Sequence, residues 1–63
     1  MENIAKNLRT ARGKEPRKDV AEAVGVSVSA IQMYECGQRI PRDETKKKLA
    51  AHYGTTVQAL FFN

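Results

Sequence analysis

The sequence has a single cysteine, Cys36, and a single histidine, His52. One thiol excludes a disulfide within the chain. One cysteine with one histidine also falls short of the roughly four ligands of a structural zinc site. A chain of 63 residues is one domain, 1–63, and buries only about 60% of the surface its unfolded form exposes. Its thin core must rest on packing, with self-association as the remaining support. No apolar run approaches the ~20 residues of a membrane-spanning helix. Met1-Glu2-Asn3 carries neither the basic region nor the apolar stretch of a secretory leader, so a cytoplasmic location is expected. No nucleophile–base pair, metal cluster or glycine-rich phosphate loop is visible, which argues against an enzyme. No cofactor, metal or small-molecule ligand is expected.

Charge is missing from two stretches. Ala23 to Tyr34 and Leu49 to Asn63 carry no Lys, Arg, Asp or Glu. Elsewhere, eleven Lys and Arg outweigh seven Asp and Glu, for a net charge of +4. The basic residues fall in three groups: Lys6 to Lys18, the pair Arg39 and Arg42, and Lys46 to Lys48. A basic surplus suits a polyanionic partner, either nucleic acid or an acidic membrane surface.

Repeats, low-complexity tracts and strand-like alternation are also lacking, and the patterning is helical throughout. A first helix, Asn3 to Arg12, places Ile4, Leu8 and Ala11 on one stripe and stops at Gly13. A second starts near Pro16, a residue suited to a first turn. It buries Val20, Ala21 and Val24 and ends at Gly25. Val26 enters the core and Ser27 caps a third helix that runs to about Glu35. On the wheel Ser27, Ile31 and Tyr34 share one face; Ser29, Gln32 and Met33 share the other, with Val28 on its flank. A fourth helix, Arg42 to Tyr53, holds Asp43 and Glu44 in its first turn and turns Leu49, Ala50 and Tyr53 inward. Lys46 is expected to pack its stem and keep its ammonium in water. After Gly54, Thr55 or Thr56 caps a fifth helix bearing Val57, Leu60 and Phe61. Thr55 with Gln58 has capping-box spacing.

The second and third helices are joined by Gly25-Val26-Ser27, the short glycine-containing connection of a helix-turn-helix. Its surroundings are more specific. Val20-Ala21-Glu22-Ala23-Val24-Gly25-Val26-Ser27, Ile31, Tyr34-Glu35-Cys36-Gly37, Pro41, Tyr53-Gly54 and Leu60-Phe61 together resemble the Xre and Cro/cI-type, lambda-repressor-like family. Arg39-Ile40-Pro41-Arg42-Asp43-Glu44 looks like a phage-associated branch of it. The resemblance implies an all-α, five-helix fold and a DNA-binding transcriptional regulator, often dimeric, with the third helix in the major groove. Carried over by position, Ser27, Val28, Ser29, Gln32 and Met33 are the candidate base readers. The family also pairs the residues at Arg12 and Glu35. Two departures stand out: Arg17 holds a place where glutamine usually contacts phosphate, and Pro16 replaces a serine cap.

The readers carry no charge. Gln32 suits adenine, while Val28 and Met33 suit thymine methyls, so A·T-leaning contacts are expected. Grip must then come from the flanks, where Arg17, Lys18, Gln38, Arg39 and Arg42 lie at the ends of the motif helices, where phosphates would pass. The expected partner is double-stranded DNA bearing a two-fold-symmetric operator. It would be bound by a homodimer through the fifth helix: Val57, Leu60, Phe61 and above all Phe62, which the core does not need. Lys46 to Lys48 read as a solvated face, His52 as packing or a cap with no partner in view, and Cys36 as a plain helix-end residue. Repression is the leading role. A protein-interaction module on the same fold, such as an antitoxin or a phage antirepressor partner, is the alternative; binding insensitive to salt would favour it.

Overall fold

A computed structural model describes residues 2–62; Met1 and Asn63, the two ends of the expected 1–63 domain, lie outside the described residues. Five helices follow one another: α1 (Glu2–Arg12), α2 (Arg17–Val24), α3 (Val28–Glu35), α4 (Asp43–His52) and α5 (Val57–Phe61). Among the described residues there is no strand, and no helix is long and apolar enough to cross a membrane. The all-α, five-helix expectation holds. α2 and α4 each begin one residue later than the pattern suggested. Pro16 and Arg42 are extended N-cap residues, with ψ of 140° and 161°.

The helices close on one core. Leu8, Val20, Val24, Ile31, Tyr34, Leu49, Leu60 and Phe61 are its larger members, and Ile4, Val26, Tyr53 and Val57 pack against it. α1 packs on α3 and α5, α2 on α3 and α4, and α4 on α5. α3 is thus braced from behind by α1 and α2.

The stripe on α1 is corrected. Ala5 is buried at 3% exposure, while Ala11 is exposed. On a helical wheel these two alanines flank Leu8 at equal angles. The choice is made at the end of the helix, where Arg12 lies on the Ala5 side and reaches inward to Glu35.

The cap of α5 is also settled. Thr56 accepts a hydrogen bond from the Ala59 amide at 3.0 Å, so the Thr55–Gln58 capping box does not form. Thr55 instead helps to close α4, its amide donating to the Ala50 carbonyl at 2.9 Å. Gly54, at φ +67°, makes that closure possible, because a left-handed residue there returns the chain onto the last turn.

Candidate nucleic-acid interface

The turn between α2 and α3 needs a left-handed residue, and Gly25 supplies it at φ +83°. A Cβ there would meet nothing within 4 Å, so glycine is required by the backbone and not by space. The Gly25 and Val26 amides both donate to the Ala21 carbonyl, at 2.8 and 3.0 Å. Ser27 then starts α3, its Oγ accepting from the Ala30 amide at 3.0 Å. Ile31, Tyr34 and Glu35 face inward and are buried. Ser27, Val28, Ser29, Gln32 and Met33 are all exposed. Val28 and Met33 stay 43% and 39% accessible, although burial of apolar side chains is favourable. Val28, Ser29, Gln32 and Met33 therefore lie on the open side of α3 as the wheel requires, and Ser27 departs from the wheel: as the cap residue it is exposed and does not join Ile31 and Tyr34 on the inner face.

One residue on that side was missed. Ser29, Gln32, Met33, Cys36 and Gln38 line a shallow hollow of about 260 Å³. Cys36 continues the row three residues beyond Met33 and four beyond Gln32, spacing that the sequence already held. Its place just past the last helical residue hid it.

Behind this face lies a charge cluster. The Glu35 side chain is only 2% exposed, against 17% for Arg12. Arg12 grips it with two hydrogen bonds, from Nε to Oε2 at 2.7 Å and from Nη2 to Oε1 at 3.1 Å. The Arg12–Glu35 pair implied by the resemblance is present. Arg12 Nη1 also donates to the Glu15 carbonyl at 2.9 Å, which ties the loop before α2 to the same guanidinium. Glu35 holds Arg12 in its charged form and pushes its pKa up, the hydrogen bond being the main cause. Two further arginines join the cluster. Arg17 donates from Nε to Glu35 Oε1 at 3.1 Å, and Arg9 donates to the Glu35 carbonyl oxygen. Neither link has a sequence signal, since the partners lie 18 and 26 residues apart.

With this geometry in place, the family model described as Helix-turn-helix matches residues 6–60. The chain belongs to the Xre and Cro/cI-type helix-turn-helix family. No curated protein and no solved structure matches it. Membership makes the chain a helix-turn-helix DNA-binding regulator, with double-stranded DNA as its partner, in a family of regulators and not of enzymes.

In this helix-turn-helix regulator all five expected phosphate contacts are exposed. Arg17 and Lys18 open α2, Gln38 and Arg39 follow α3, and Arg42 precedes α4. Arg17 is tied to the end of α3 through Glu35, and Gln38 sits beside Met33 and Cys36 in the hollow.

The fifth helix divides. Leu60 and Phe61 are each 4% exposed and belong to the core, whereas Phe62 is 63% exposed. Of the residues expected at a dimer contact, Phe62 and the half-buried Val57 remain on the surface. They line a groove of about 230 Å³ with Asp43, Lys46 and Lys47. Lys46 was expected to hold its ammonium out in water; instead its Nζ lies 5.5 Å from the Phe61 ring centre and 5.3 Å from that of Phe62. These are cation–π distances.

His52 does have a partner. Its Nε2 lies 2.8 Å from Glu15 Oε2, which pins the loop before α2 to the end of α4, and its ring meets Tyr53 edge-on. Tyr53 in turn is pushed up to about 12, first by burial and then by the charges of Glu35 and Glu15. Its phenol stays neutral at any physiological pH.

Proposed function

We propose that the whole chain, residues 1–63, acts in the cytoplasm as one sequence-specific DNA-binding domain and represses transcription by occupying an operator. In this reading α3 lies in the major groove, and Ser27, Val28, Ser29, Gln32 and Met33 meet base edges. Arg17, Lys18, Gln38, Arg39 and Arg42 hold the phosphates on either side. The supporting observation is the exposed side of α3: it carries no charge and keeps two apolar side chains in water, while Arg17 is tied to the C-terminal end of the helix and Arg39 lies in the segment that follows it. Uncharged side chains can read bases while charged neighbours supply sequence-independent attraction.

The composition of the face favours A·T pairs. Gln32 offers both a donor and an acceptor to adenine N7 and N6, and Val28 and Met33 offer apolar contact to thymine methyls. Val57 and Phe62 would join two copies. A symmetric pair of α3 helices would then span half-sites about 34 Å apart.

Selection of bound duplexes from random DNA at fixed salt tests the reading. The selected site is then remade with uracil in place of each thymine, which removes only the methyl. A several-fold loss at one or two positions, on the order of 1 kcal/mol each, supports contact by Val28 and Met33. No loss at any position contradicts it.

A further inference from the structure

Arg17 is the least typical residue of the motif, and the structure gives it a second role. We infer that buried Glu35 is a positioning residue for DNA binding: it holds the Arg17 guanidinium at the start of α2, aimed for a phosphate. This rests on the DNA-contact reading above and goes beyond it by naming the group that orders the contact.

Glu35 is 2% exposed and Arg17 is 42% exposed, so the pair runs from the interior to the surface. Arg17 is bonded to the carboxylate through Nε, at 3.1 Å. Its terminal Nη donors are the outer part of the fork. A guanidinium can be anchored on one edge and still bind an oxyanion with another; an ammonium has one nitrogen for both roles. Arg12 and Arg9 prevent Glu35 from neutralising the site. Three guanidinium groups converge on Glu35, Arg12 and Arg17 at its carboxylate and Arg9 at its backbone carbonyl, so the positive charges outnumber the negative ones even with Glu15 nearby. Anchoring also removes the freedom that a long side chain would otherwise lose on meeting DNA. The same carboxylate braces α1 through Arg12 and belongs to α3, so the phosphate contact and the reading helix are set by one group.

Binding of a random-sequence duplex is measured against salt for wild type, Arg17→Lys, Arg17→Gln, Glu35→Gln and the double variant Arg17→Gln with Glu35→Gln. Arg17→Lys should keep the salt slope yet weaken binding roughly threefold to tenfold, the range set by ordering one such side chain. Arg17→Gln should lower the slope by about 0.9. Glu35→Gln should weaken binding by a similar factor with Arg17 present and not in the Arg17→Gln background. A merely structural Glu35 would weaken both backgrounds equally, and that result overturns the inference. If Glu35→Gln does not fold, Arg17→Lys decides: wild-type affinity overturns the inference, and a loss at unchanged slope upholds it. A wild-type chain that fails to bind DNA even at low salt overturns the DNA reading itself, which separates the two failures.

Discussion

Arg12→Met isolates what the buried charge cluster contributes to stability. Methionine keeps an unbranched apolar stem of similar reach and removes the guanidinium. The change deletes two charge-assisted hydrogen bonds to Glu35 and one to the Glu15 carbonyl. Breaking a buried ion pair from one side costs about 3–5 kcal/mol, because the other charge is left without its partner. Two features reduce that figure here. Arg17 still reaches Glu35 Oε1, at 3.1 Å, and the Arg12 side chain is 17% exposed, so water can approach the vacated position. The expected loss is about 2–3 kcal/mol. A domain of this size has a total stability of roughly 3–9 kcal/mol, so the variant should keep its fold with little margin. At about 4–8 °C per kcal/mol, Tm should fall by roughly 8–24 °C. Thermal and urea unfolding followed by far-UV circular dichroism measure this, with Lys48→Gln as the comparison. The Lys48–Glu44 pair is exposed and 4.0 Å long, and its loss should stay under about 0.5 kcal/mol. If Arg12→Met costs no more than Lys48→Gln, the reasoning about Glu35 is refuted.

Three further outcomes are expected. Thr56→Ala should destabilise by about 1 kcal/mol in urea unfolding through loss of the α5 cap, whereas Thr55→Ala should change little, because only its backbone amide is engaged; equal losses would refute the cap assignment. Tyr53 ionises later when folded than when unfolded, so the stability it contributes is full below pH 10 and is lost as pH rises towards about 12. Unfolding free energy measured across that window should fall less steeply in Tyr53→Phe than in wild type, and identical slopes would sink the assignment. Gly25→Ala forces a side chain into left-handed backbone and should cost about 1–2 kcal/mol; since a Cβ there meets nothing within 4 Å, a neutral result would mean that the turn relaxes.

What could be read from the sequence was local, and what could not was distant or evenly balanced. Helix ends followed from Gly25, Gly54 and Ser27, whose chemistry acts within one turn. The inner face of α3 followed from Ile31 and Tyr34 by periodicity alone. The wheel could not choose between Ala5 and Ala11, because both flank Leu8 equally, and it could not choose between Thr55 and Thr56, because the decision lies in the carbonyl that closes α4. The Arg12–Glu35 pair was available by resemblance. The Arg17 and Arg9 links to Glu35 and the His52–Glu15 pair were not, since they join segments far apart in the chain through side chains that carry no periodic signal. On the candidate site, periodicity placed Gln32 and Met33 outward together. It does not reach Cys36, because helical periodicity ends with the last helical residue while the face continues into the cap.

DNA reading by α3 is tested most directly by selecting bound duplexes from random DNA at one stated salt concentration, with wild type and with Gln32→Ala. The expected result is an A·T-leaning site for wild type and a preference that relaxes at one base pair in Gln32→Ala, worth about 1–3 kcal/mol there. A wild-type chain that enriches no sequence, or a Gln32→Ala chain that selects an unchanged site, would contradict it.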